Sequence, residues 1–300
     1  MGTTDFSRRP TTANWLAHVK GARVFRTVAT ALAVRSIPVL PIKGLVTARL
    51  LYDDAALRPI RDVDIRLRGR DFGASMRVAR ACGWGVQHVV LVGQAVWEVE
   101  GMQVDVKCAL GPPGLCATSV DEVMARAESR FDPFDVAHLE PELNDHALML
   151  VLNVFKDGLR STPWGVEDLR RIVQHERFDV ETLVERAHAG CVATALWIVA
   201  GWLADTQEAP GWRLVKDRIG PRPPSERAAA TYSLWRRSGI PRRVGHFVVP
   251  TVGDDPWRAA AGLALATAGL ARGYGLRLAT AISDRMERLG RRGPNRTGGI

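Results

Sequence analysis

The hydrophobic period of this chain changes once, at Pro112-Pro113, and that change imposes a two-part fold. Upstream, helical and strand periods alternate. Apolar residues recur at three- and four-residue spacing over 14–36 (Trp15, Val19, Val24, Val28, Leu32), which predicts an amphipathic helix. A short apolar run at 38–42 stops at Lys43-Gly44 and helical spacing resumes over 45–52, so a strand, a turn and a second helix are expected. Residues 61–67 alternate strictly between polar and apolar. Asp71 is placed to cap a helix running to Cys82, with Gly83 as the residue that ends it. Two strand-like runs follow at 87–92 and 95–99, and Glu100-Gly101 suits a tight hairpin into a third at 103–110. Downstream of the prolines the pattern is helical: 120–130, 141–156, 165–174, 180–189 and 192–204. After a Pro- and Gly-rich break at 209–224, further helices are expected at 225–237, 256–271 and 276–289, and the 290–300 stretch has no core-forming residues. The expected class is α+β: a small mixed domain over 1–115, an all-helical domain over 116–289 and a flexible tail over 290–300.

Three hundred residues, 46% hydrophobic and 24% charged, supply enough core for two such domains without a metal or disulfide staple. The four cysteines contain no C-x-x-C pair, which fits free thiols in a reducing compartment. No apolar h-region opens the chain, and its longest uncharged apolar stretch, 259–271, is short of the roughly 20 residues that cross a bilayer. A cytoplasmic protein without a membrane partner is therefore expected. The net charge is +9, which admits a phosphate-rich substrate or a polyanion such as RNA. Only five of the 41 basic residues are lysines, however, and an arginine bias of that size also follows from codon composition.

The chemistry-bearing segment is Lys43-Gly44 followed by Asp62-Val-Asp64. Residues i and i+2 of a strand share a face, so both carboxylates project side by side while Val63, Ile65 and Leu67 anchor the opposite face. Two such charges repel unless a cation lies between them, and paired Mg2+ ions bridging a polyphosphate are a natural resident. Asp105, in Val104-Asp-Val-Lys107, becomes the third carboxylate if its strand pairs beside the first. Glycine at a strand-to-helix junction lets backbone N–H groups approach a phosphate, and Lys43 adds a charge. Lys107 shares the face of Asp105, and Arg66 and Arg68 that of Asp64, so these cations would draw an anionic acceptor. The same alternation also suits a solvated strand surface, with Asp62, Asp64, Arg66 and Arg68 along one face and no metal. P-loop, serine-hydrolase and full dinucleotide-binding motifs are absent from the sequence. The seven histidines show no ligand spacing and read as surface or packing residues; Trp197 and Trp202 read as core.

Ile42-Lys-Gly-Leu-Val46, Leu50-Leu-Tyr52 and Leu57-Arg-Pro-Ile-Arg-Asp-Val-Asp-Ile65 together resemble the uncharacterised nucleotidyltransferase family of the DNA polymerase β superfamily. The resemblance covers residues 38–110 well and 144–156 and 167–173 more loosely. It implies the minimal nucleotidyltransferase fold, a mixed sheet flanked by helices, with a helical domain closing over the nucleotide. It further implies transfer of a nucleoside monophosphate from an NTP with loss of pyrophosphate. Asp62 and Asp64 would then ligate Mg2+ (or Mn2+), with Asp105 as third ligand and base toward the acceptor hydroxyl. Lys43 and Gly44 would hold the triphosphate, and Arg58 would contact phosphate or pair with a carboxylate. Lys156 and Asp168 match a Lys…Asp-Leu pattern placed at the nucleotide in related transferases, or form a helix-end salt bridge. Two departures stand out: Lys-Gly replaces the superfamily's Gly-Ser or Gly-Gly, and Lys107 stands where a histidine commonly follows the third acid. Lys107 and Arg66 are expected on the acceptor side, and a small molecule or biosynthetic intermediate is the favoured acceptor. The alternatives are the same chemistry on tRNA or on a protein, and a degenerate fold that binds nucleotide or a partner without turnover.

Overall fold

Val63 and Ile65 point into the core along β2 (Asp62–Arg66) while the alternate positions carry charge, as strict alternation requires. The computed structural model describes residues 11–88, 93–112, 114–159, 163–206, 209–220, 232, 249, 252–265 and 267–268. β2 is the second strand of a five-stranded mixed sheet ordered β1-β2-β5-β4-β3. The others are β1 (Leu40–Ile42), β3 (Gly85–His88), β4 (Gln94–Val99) and β5 (Met102–Lys107). The β2–β5 pair is parallel and the rest are antiparallel. Glu100 and Gly101, with φ of 51° and 69°, make the tight β4–β5 hairpin expected from their sequence.

One face of the sheet is closed by α1 (Thr12–Ala33) and α3 (Phe72–Ala81). Val24, Val28 and Leu32 of α1 and Met76 of α3 pack with Val63, Ile65, Trp97, Val104 and Val106 in one apolar cluster. Each such side chain contributes about 1.5–3 kcal/mol when fully buried. Gly83 ends α3 at φ 71°, as expected. Asp71 differs from expectation. A 3-10 turn, Gly69–Asp71, runs directly into the helix, so Asp71 is already helical in φ and ψ and makes no side-chain cap.

The other core is helical. It gathers α4 (Val120–Arg126), α5 (Leu143–Lys156), α6 (Pro163–Ile172), α7 (Val180–Ala189), α8 (Ala193–Thr206) and α9 (Gly211–Ile219). Leu40 and Ile42 of β1, with Leu51 and Tyr52 at the end of α2 (Gly44–Leu51), also join this core. The β1–α2 unit is thus where the sheet and the helices meet.

Two expectations are corrected here. The helix expected over 120–130 stops at Arg126, and β6 (Glu128–Arg130) pairs antiparallel with β7 (His138–Glu140). Strands of three residues are too short to display a period. The break expected at 209–224 contains α9, opened by Pro210 and closed by Gly220 at φ 71°. Proline at the start and glycine past the end are helix punctuation, not evidence of a loop. Residues 256–265 are helical, as expected, while the helices expected at 225–237 and 276–289 and the 290–300 tail lie outside the described residues. Among the described residues no helix is long and apolar enough to cross a membrane.

Candidate active site

Parallel pairing of β2 with β5 sets Asp64 directly opposite Asp105, and Arg66 directly opposite Lys107. Paired residues share a face, and Asp62 shares that of Asp64 two residues away. One side of two adjacent strands therefore carries three carboxylates, with a row of two cations beyond them. The third carboxylate stands on the neighbouring strand, where the sequence placed it conditionally.

Lys43 enters from the β1–α2 turn. Its Nζ lies 2.8 Å from Asp64 Oδ1, so a cation already meets the carboxylate pair. The Lys43 backbone has φ 52° and ψ −130°, a conformation that costs a non-glycine residue about 1–3 kcal/mol. Burial disfavours the Asp64 anion, but the Lys43, Arg66 and Lys107 charges outweigh it and hold Asp64 well below the usual carboxylate range. Asp62 keeps an exposed edge, yet desolvation and then the Asp64 charge push its carboxyl upward. Lys107 pairs with Asp105 on its own strand.

Lys156, at the C-terminal end of α5, lies within reach of the Lys43, Lys107 and Asp64 charges. Burial first, then the Lys43 and Lys107 charges, lower its pKa to about 8, and no side chain pairs with its ammonium among the described residues. Arg66 is only 3% exposed; its Nη1 donates to the Ile65 carbonyl at 3.1 Å and its Nε is buried without a partner. It underlies the charged face instead of projecting from it. The site thus sets four cations, Lys43, Arg66, Lys107 and Lys156, against Asp62, Asp64 and Asp105, an excess suited to a polyphosphate.

The remaining expected residues are placed differently. Asp168 is fully buried, its carboxylate bound by Arg58 Nε and Nη2 at 2.7–3.0 Å and by the Tyr52 hydroxyl at 2.8 Å. Arg58 thus pairs with a carboxylate, one of its two readings, and the partner of Asp168 is Arg58 instead of the helix-end Lys156. Gly44 opens α2, but a Cβ there would meet Ile60 Cγ2 at 3.0 Å and Arg58 Nη1 at 3.4 Å. Its missing side chain makes room for the protein's own Ile60.

The sequence passed over His146. It is fully buried, and its Nε2 accepts the Lys43 backbone N–H at 3.2 Å and lies 3.2 Å from Thr47 Oγ1. Its signal is Asn144-Asp145-His146, three consecutive polar residues in the first turn of a mainly apolar helix.

Whether these residues suit a divalent ion is decided by donor type and position. Three carboxylates and no sulfur or imidazole make a hard oxygen set, the kind Mg2+ takes. Each lysine engages one oxygen of its carboxylate. Among the described residues no three such groups are drawn together as the ligands of one ion. The donor types suit a divalent ion.

The family model described as uncharacterised nucleotidyltransferase matches residues 11–206. No curated protein matches the chain. Solved structures that match the chain include these three. The solution structure of the antibiotic-resistance factor ANT(2'')-Ia is 16% identical, covers 57% of this chain and 92% of its own, and has a TM-score of 0.41. The crystal structure of ANT(2'')-Ia with adenylyl-2''-tobramycin is 15% identical, covers 57% and 96%, and has a TM-score of 0.40. The Thermotoga maritima CCA-adding enzyme complexed with tRNA is 13% identical, covers 86% and 84%, and has a TM-score of 0.28.

Proposed function

Because the chain belongs to the uncharacterised nucleotidyltransferase family, we propose that it moves a nucleoside monophosphate from an NTP onto a hydroxyl of a small anionic acceptor. The observation that carries this reading is the register of Asp64 against Asp105, with Asp62 on the same face and the Lys43 ammonium on Asp64. In this reading residues 1–115 carry the chemistry and 116–289 close over the nucleotide, with 290–300 a tail.

Asp62, Asp64 and Asp105 would hold the divalent ion, Mg2+ or Mn2+. When bound it supplies Lewis-acid polarisation of the phosphate oxygens and charge compensation for the departing pyrophosphate. Lys43 and Lys156 bind the triphosphate as point charges, and the N-terminus of α2 adds backbone N–H groups. Asp105 accepts the acceptor's hydroxyl proton. The freed oxygen bonds to the α-phosphorus as the bond to the β-bridging oxygen breaks, and pyrophosphate leaves with that electron pair. Arg58 and Asp168 act on this site by holding α6 to the segment before β2. Lys107, beside Asp105, and Arg66 beneath it supply the positive potential for an anionic acceptor.

The test is transfer from α-phosphate-labelled NTPs, one base at a time, with Mg2+ or Mn2+ and either a small-metabolite extract or total RNA. Label in low-mass product, absent with Asp64→Asn, is the expected result. Label confined to tRNA or to protein would replace the acceptor class, and no transfer to any fraction would leave a nucleotide-binding protein without turnover.

A further inference from the structure

We propose that His146 is a positioning residue for the nucleotide site: from α5 it fixes the Lys43 peptide in the turn that delivers the Lys43 ammonium to Asp64. The inference rests on the nucleotidyl-transfer reading above.

Lys43 is held at three atoms. Its N–H donates to His146 Nε2 at 3.2 Å, its C=O accepts from the Thr47 N–H at 2.6 Å, and its Nζ meets Asp64 Oδ1 at 2.8 Å. A backbone at φ 52° and ψ −130° is a place for glycine, yet the charge has to come from a side chain at this position. Strain of this kind persists only where the surroundings over-determine it. Of the three bonds, the one to His146 alone comes from α5.

The imidazole is suited to that task and to little else. An Nε2 that accepts an amide proton carries none, so the ring proton is on Nδ1, and Nδ1 is buried with no hydrogen-bond partner. An unpaired buried donor disfavours folding. A leucine would fit the apolar helix without that cost, so the useful atom is the acceptor at Lys43. Burial first, then the Arg58 and Lys43 charges, lower the imidazole pKa to about 3, which keeps Nε2 an acceptor at working pH.

His146→Leu removes the acceptor, whereas His146→Gln can offer a side-chain carbonyl near the position of Nε2. Loss of one hydrogen bond corresponds to about a 2- to 10-fold loss of affinity. In titration calorimetry with non-hydrolysable analogues of the four NTPs, His146→Leu is expected to show that loss and His146→Gln to bind as the wild type does. Amide hydrogen exchange should show protection lost at Lys43 in His146→Leu and kept within α2. A thermal double-mutant cycle reads the coupling without nucleotide. In a Lys43→Gly background, which relieves the strained backbone, His146→Leu should lower Tm by less than it does in the wild type. Should His146→Leu fail to fold, His146→Gln, which keeps an acceptor for the Lys43 N–H, is expected to fold. Wild-type affinity in a folded His146→Leu, equal weakening by Gln and Leu, or equal Tm losses in both backgrounds would each overturn the inference. A wild type that binds none of the analogues fails the nucleotidyl-transfer reading itself, and this inference with it.

Discussion

Arg58 and Asp168, 110 residues apart in the chain, close on each other through three hydrogen bonds of 2.7–3.0 Å. Asp168 has no solvent contact, and Tyr52 adds its hydroxyl at 2.8 Å. The segment before β2 and the helix α6 are therefore joined by a buried charge pair in which every partner is committed. Arg58 also packs beside Gly44 at the turn that carries Lys43, so the pair supports the site from behind.

Breaking that pair on one side leaves a guanidinium buried without its counter-charge. Asp168→Asn is expected to cost about 3–5 kcal/mol, and Tyr52→Phe about 1 kcal/mol. Urea unfolding measures both. An Asp168→Asn protein as stable as the wild type would remove the structural role assigned here.

Asp62 and Asp64 should behave oppositely in stability and alike in activity. The Asp62 pKa is raised, so its ionised form is less favourable folded than unfolded, and stability is lost as pH rises from the unfolded value through the folded one. Asp62→Asn should therefore raise Tm at neutral pH, with the gain fading in acid. The Asp64 pKa is lowered, so its contribution is present above the unfolded value and lost as pH falls through the folded one. Asp64→Asn should lower Tm at neutral pH, because Lys43 loses its partner. Both should reduce transfer by at least about 100-fold, beyond what outer-sphere metal partners usually cost. Tm shifts of the same sign at neutral pH would contradict the charge arrangement.

The alternation of β2 was legible because it is local: each residue's face follows from its neighbour's. The parallel register that aligns Asp64 with Asp105 was not, because β5 arrives after α3 and a hairpin, and no period reports which strand it will join. Arg58 and Asp168 each stand out in the sequence, but nothing local couples residues 110 positions apart. Gly44 was singled out for the space it leaves, and the structure shows that Ile60 takes that space. An isolated histidine such as His146 reads as packing in the sequence; the role proposed for it depends on a backbone conformation at Lys43 that the residue type does not announce.

Lys156 should give the nucleotide site a pH dependence of its own. Its folded pKa of about 8 lies below the ordinary lysine value of 10.5, so between these two pH values the unfolded chain holds more protons and stability rises with pH. Lys156→Met removes that rise and should be more stable than the wild type near neutrality, by on the order of 2 kcal/mol, with the advantage vanishing toward pH 10. Triphosphate binding has the opposite trend, since it needs the ammonium. Wild-type affinity should decline above about pH 8, while Lys156→Met binds more weakly at neutral pH and shows no such decline. Calorimetric titrations at several pH values check this; parallel profiles would take Lys156 out of the site.

Gly44→Ala separates a phosphate contact from a packing requirement. The added methyl would lie 3.0 Å from Ile60 Cγ2, so the neighbour has to give by a few tenths of an ångström. Overpacking of this kind costs about 1–3 kcal/mol. Ile60→Val can relieve the contact, so the double variant Gly44→Ala/Ile60→Val should recover part of the stability that Gly44→Ala loses. Nucleotide affinity then divides the two roles. If the glycine serves packing, affinity returns with Tm in the double variant. If backbone N–H groups at this turn touch the phosphates and the methyl obstructs them, affinity stays low while Tm recovers. The Ile60 contact favours the first outcome, and calorimetry on the two variants and on Ile60→Val alone decides between them.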